Sequence, residues 1–81
     1  MKVRVQFYAQ LREVVGTDEL ELEFPEGATV RDLLENIYTQ KPVLRGQDHS
    51  ILVGAGLEFV DRNYKLNPEE EIAIMPPVQG G

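Results

Sequence analysis

The residues best equipped for chemistry in this chain are its last six, Pro76-Pro77-Val78-Gln79-Gly80-Gly81. Gly80 and Gly81 carry no Cβ, so their backbone can thread where no side chain fits. The simplest chemical reading is that the α-carboxylate of Gly81 is the reactive group. Pro76 and Pro77 hold φ at about −65° and offer no N–H. The apolar run Ile72-Ala73-Ile74-Met75 before them reads as a strand that must stop there. The expected organisation is one folded domain over 1–75 that releases a reactive tail over 76–81.

Side chains offer little competing chemistry. There is no cysteine, which excludes disulfides, cysteine metal sites and a thiol that could carry sulfur or an acyl group. His49 is the one histidine, too few for a zinc site or a Ser-His-Asp triad, and it falls in an expected loop with no role assigned. No bound cofactor and no metal are expected. Fourteen acidic against eight basic residues give a net charge of −6. That argues against nucleic acid, which demands a basic footprint, and for docking on a basic protein partner. Met1-Lys2 leads straight into a strand pattern, with no leader or membrane-spanning pattern. A cytoplasmic location follows as an expectation.

The elements that must position the tail follow from hydrophobic period. Lys2 to Tyr8 alternates, with Val3, Val5 and Phe7 on one face and Lys2, Arg4, Gln6 and Tyr8 on the other. Ala9 to Val15 predicts a short helix ended by Gly16. Glu19 to Phe24 alternates again and predicts an antiparallel partner for the first strand, its glutamates suiting an exposed edge. Thr29 and Asp32 predict a helix cap. Val30, Leu33, Leu34, Ile37 and Tyr38 then form one helical stripe that Pro42 ends by Gln40. Residues 41–50 read as loop, Ile51–Ala55 as a third strand, Leu57–Val60 as a fourth and Glu71–Met75 as a fifth. One helix stripe covers one face of one mixed sheet, which predicts a two-layer α+β domain. With the terminal strands central and parallel, this is the β-grasp, a ubiquitin-like arrangement of five strands and one main amphipathic helix.

Parity also predicts a second feature. Tyr8 is out of phase with Val3, Val5 and Phe7, and Met75 is out of phase with Ile72 and Ile74. Both therefore belong on the sheet face away from the helix, where Phe59 of the fourth strand can join them. An exposed aromatic and methionine cluster of this kind marks a partner surface, the alternative being satellite core packing or ordinary scattered exposure. Arg12 can pair with acidic groups of a partner, and a solvated helix face explains it equally well.

Val5-Gln6-Phe7-Tyr8-Ala9-Gln10-Leu11-Arg12-Glu13, followed by Val15-Gly16, resembles the N-terminal signature of the small subunit of molybdopterin synthase. The tail Pro76-Pro77-Val78-Gln79-Gly80-Gly81 resembles that family's tail. Gly54-Ala55-Gly56 departs from the family's more usual valine-asparagine pattern after the third strand. The resemblance implies a sulfur carrier and no independent enzyme. A partner adenylating enzyme uses ATP to activate the Gly81 carboxylate, and a sulfur donor system converts the acyl-adenylate to a thiocarboxylate. The tail then enters the large synthase subunit, in a heterotetramer, and gives its sulfur to cyclic pyranopterin monophosphate. Physical chemistry agrees: a delocalised carboxylate is a poor electrophile, and joining it to AMP supplies a leaving group. From Pro76 onward the tail can extend roughly 20 Å, at about 3.3 Å per residue. Two other uses of the same tail stay open: sulfur delivery for thiamine or tRNA thiolation, and attachment to target lysines as a ubiquitin-like modifier.

Overall fold

The computed structural model describes residues 1–77, so Val78, Gln79, Gly80 and Gly81 lie outside the described residues. The elements are β1 (Lys2–Phe7), α1 (Leu11–Val15), β2 (Glu19–Glu23), α2 (Val30–Gln40), a 3-10 helix (Pro42–Ser50), β3 (Leu52–Ala55), β4 (Glu58–Val60) and β5 (Glu71–Met75). The sheet order is β2-β1-β5-β3-β4. β1 and β5 are central and parallel, with Val5 beside Ile72 and Phe7 beside Ile74. β2 and β4 are the antiparallel edges. The β-grasp expectation is met, and the acidic strand sits at an edge.

Alternation puts Val3, Val5, Phe7, Val53, Ile72 and Ile74 on one face, all at most 2 % exposed. α2 lies over that face and buries Val30, Leu33, Leu34, Ile37 and Tyr38. Thr29 and Asp32 form a complete capping box: the Thr29 N–H donates to Asp32 Oδ2 at 2.9 Å, and the Asp32 N–H donates to Thr29 Oγ1 at 3.4 Å. These bonds satisfy amides that have no partner inside the helix. Gly16 closes α1 at φ 90°, a left-handed conformation that costs glycine little.

Residues 41–50, expected as loop, are corrected by the structure. Pro42–Ser50 winds as a 3-10 helix that buries Leu44. Its anchor is Asp48, which accepts a hydrogen bond from the Tyr38 hydroxyl of α2. Arg62 donates to the Asp48 and Ile51 carbonyls at 2.7 and 3.0 Å. The Asp48 carboxylate lies 3.7 Å from both Arg31 and Arg62. The Tyr38 hydrogen bond and then the two guanidiniums hold the Asp48 carboxyl below its usual range. Burial, reinforced by Asp48, pushes the Tyr38 hydroxyl well above the usual tyrosine range.

Four strand boundaries also shift, Phe24 falling just past the end of β2. Tyr8 follows β1, and Ile51 precedes β3 while keeping its side chain in the core. Leu57, expected inside the fourth strand, sits with Gly56 in the two-residue turn joining β3 to β4. Gly56 adopts φ 63°, which such a turn demands and side chains resist.

Candidate functional site

β5 carries the chain through the middle of the sheet and delivers it to the tail. Met75 pairs with Leu52 of β3, and the strand ends there because Pro76 and Pro77 cannot extend the ladder. Pro76 is half-buried and Pro77 exposed. The Tyr8 N–H donates to the Ile74 carbonyl at 3.1 Å, so Tyr8 flanks the point where the chain leaves the sheet. The expected reactive residue Gly81, with Gly80, Gln79 and Val78, lies beyond the described residues.

The structure brings Tyr8, Phe59 and Met75 together on the face opposite α2. They line one depression of about 240 Å³, with Ala73, Gly54 and Leu57. Strand register explains the meeting. One row across the sheet runs Glu19, Gln6, Ala73, Gly54, Phe59, each opposite the next. All of these side chains leave the sheet on the same side. Small residues in the middle of the row make a floor, and Phe59 makes a wall. Tyr8 makes another wall, its hydroxyl donating to Gln6 Oε1 at 2.8 Å. Tyr8, Phe59 and Leu57 are 45 %, 70 % and 105 % exposed, a concentration of apolar surface of the kind that marks interaction sites.

Arg12 stands apart from this depression. It lines the neighbouring one, with Gln6, Tyr8, Asp18 and Glu19, and Tyr8 is the wall the two share. Its Nε–H donates weakly to the Ala9 carbonyl at 3.4 Å. Gly54, Leu57 and Ala73 were not picked out by the parity argument. Two signals for them were present: Ala73 has the phase of Met75, and a glycine inside a strand often marks close approach of another group.

Among the described residues, no three His, Asp or Glu side chains gather where they could hold a metal ion. No helix among them is long and apolar enough to cross a membrane. The carboxylates instead gather around the open sheet face. Glu19, Glu21 and Glu23 line β2, and Glu69 and Glu71 border a second apolar depression that shares Tyr8, Leu57 and Ala73 with the first. Lys2 and Arg4 of β1 lie on that face and Arg12 borders it, Lys2 lying 3.9 Å from Glu21.

Comparison with known proteins agrees with this architecture over the whole chain. The molybdopterin synthase sulfur carrier subunit of Chlamydomonas reinhardtii is 34 % identical over 83 aligned positions, covering 100 % of both chains. A putative molybdopterin converting factor subunit 1 from Pyrococcus furiosus superposes with a TM-score of 0.87 at 30 % identity, over 96 % of this chain and 99 % of that one. The small archaeal modifier protein 1 of Methanosarcina acetivorans superposes with a TM-score of 0.80, also at 30 % identity, over 99 % and 96 %. The ThiS family model matches residues 5–81, from β1 through Gly81, and the chain belongs to the ThiS family.

Proposed function

We propose that this protein is the sulfur carrier subunit of a molybdopterin synthase. The observation that carries the proposal is the exit of the Pro76-Pro77 segment from the central strand β5, beside an exposed apolar depression. That arrangement lets a partner grip the body over 1–75 while the tail over 76–81 reaches a separate active site. The full-length relative is named a sulfur carrier subunit of molybdopterin synthase, which supports the large synthase subunit as that partner.

The chemistry is that of the Gly81 carboxylate. The carboxylate attacks the α-phosphate of ATP on a partner adenylating enzyme, and pyrophosphate leaves. Hydrosulfide delivered by a sulfur donor system attacks the acyl carbon, its C–S bond forms as the C–O bond to AMP breaks, and loss of the proton leaves the thiocarboxylate. The resulting thiocarboxylate is a sulfur nucleophile that passes its sulfur to cyclic pyranopterin monophosphate in the large subunit. The carrier holds no ATP or metal of its own and is a protein cosubstrate, acting in the cytoplasm. Tyr8, Phe59 and Met75 anchor the partner, and Arg12 adds a charge contact at the rim. Pro76 and Pro77 lower the cost of ordering the tail, which otherwise runs to about 1–2 kcal/mol per residue.

Incubation with the cognate adenylating enzyme, ATP and a sulfur donor, followed by tandem mass spectrometry, tests the proposal. An oxygen-to-sulfur exchange on Gly81 and conversion of the pterin by the large subunit are expected. The likeness to the small archaeal modifier protein 1 favours one second reading, attachment of Gly81 to target lysines. Isopeptide products in place of the thiocarboxylate would move the assignment there.

A further inference from the structure

The open sheet face has a depression in it, and Gly54 deepens it by letting Met75 settle against the strand. Gly54 lies mid-strand in β3 between Ala73 of β5 and Phe59 of β4. A Cβ added there would meet the terminal methyl of Met75 at 3.3 Å, the Glu58 carbonyl at 3.6 Å and the Ala73 Cβ at 3.7 Å. The missing side chain therefore lets Met75 lie low across the strand, and the two smallest residues of the row form the floor. Tyr8, Leu57 and Phe59 rise around it. The space, about 240 Å³, is below the usual range of small-molecule sites, roughly 300–1,000 Å³. It has the size for one large apolar side chain.

Charge on the same face narrows the occupant further. Glu19, Glu21, Glu23, Glu69 and Glu71 outnumber Lys2, Arg4 and the bordering Arg12, and the whole chain carries −6. A second copy of this chain would bring the same carboxylates against themselves, which disfavours self-association. We infer that Gly54 and Ala73 form a socket for a single protruding aliphatic or aromatic side chain of the large synthase subunit, set in a surface rich in lysine or arginine. This rests on the carrier reading above and assigns selectivity to positions that make no large contact of their own. A flat-faced carrier, with a side chain where Gly54 stands, would reject the same knob by steric clash.

The test fills the socket from two independent strands, with Gly54→Ala in β3 and Ala73→Leu in β5. Gly54 has ordinary strand backbone, and its tightest neighbour is the flexible end of Met75, so Gly54→Ala folds with a small shift. Ala73→Leu points its new atoms outward and guards against failure of the first variant. Each variant is titrated against the isolated large subunit by calorimetry, beside thermal melts and thiocarboxylation of Gly81. The expected result is affinity for the large subunit lowered about tenfold or more, with melting unchanged. Wild-type affinity should also fall severalfold between about 0.05 and 0.5 M salt, as a basic partner requires. Wild-type affinity in a folded, filled variant overturns the socket and leaves the carrier reading standing. Failure of the wild-type chain to bind the large subunit at all, or to take sulfur on Gly81, overturns the carrier reading and the socket with it.

Discussion

Phe59→Ala and Ile74→Val together test whether the two sheet faces do different work. Phe59 is 70 % exposed, and Ile74, on the helix side of β5, is 1 % exposed. A phenylalanine buries on the order of 150–250 Å² when fully covered. A partner can therefore cover about 100–170 Å² of Phe59, worth at most about 3–4 kcal/mol at roughly 25 cal/mol/Å². Alanine keeps part of that area, so truncation should cost about 2 kcal/mol of binding, near thirtyfold in affinity. Folding should barely notice, with a change within about 0.5 kcal/mol and a melting shift of at most about 4 °C. Ile74→Val reverses the pattern. Losing one methylene from a packed core costs about 0.5–1.5 kcal/mol. For a domain of this size that lowers the melting temperature by roughly 4–8 °C per kcal/mol, while the folded molecule binds as before. Calorimetry with the large synthase subunit and melts of the free protein read both quantities. If Phe59→Ala leaves affinity intact and collapses the melting temperature, the aromatic is structural and the assignment of faces fails.

Deleting Gly80 and Gly81 should abolish thiocarboxylate formation and change stability by less than about 0.5 kcal/mol in chemical denaturation, because two terminal glycines have no apolar side chains to bury. Adding one residue after Gly81 should block adenylation, since a peptide bond then stands where the acyl-adenylate forms, and mass spectrometry reads the missing product. Thr29→Ala removes one arm of the capping box and should cost about 1 kcal/mol by urea titration. Alkaline pH should destabilise the fold. Tyr38 and Tyr64 are held protonated above the usual value of about 10, so the folded chain binds more protons than the unfolded one, and stability falls as pH rises past that value. Tyr38→Phe should flatten that slope. At the acid end the lowered Asp48 contributes stability that is present above about pH 3.9 and lost as pH falls through its folded value, and Asp48→Asn should remove that part.

Local pattern alone determined a large part of this protein. Alternation of period two placed Val3, Val5, Phe7, Ile72 and Ile74 in the core, and the same alternation put Tyr8 and Met75 on the other face. The α2 stripe and its cap were legible because both depend on residues within one or two turns of each other. The chemistry proposed for Gly81 rests on the tail residues and the family resemblance, and it belongs to a backbone carboxylate that needs no neighbour in the fold. What only tertiary structure decided depends on residues distant in the chain. The 3-10 helix at Pro42–Ser50 shows no decisive period of its own and is fixed by Asp48 meeting Tyr38, Arg31 and Arg62 from other elements. The socket joins Tyr8 after β1, Gly54 of β3, Leu57 of the β3–β4 turn, Phe59 of β4 and Ala73 of β5. Strand order and register set that meeting, and register is a property of pairs of strands. A glycine mid-strand reads in sequence as a weakness, and becomes a socket only when its neighbours across the sheet are known.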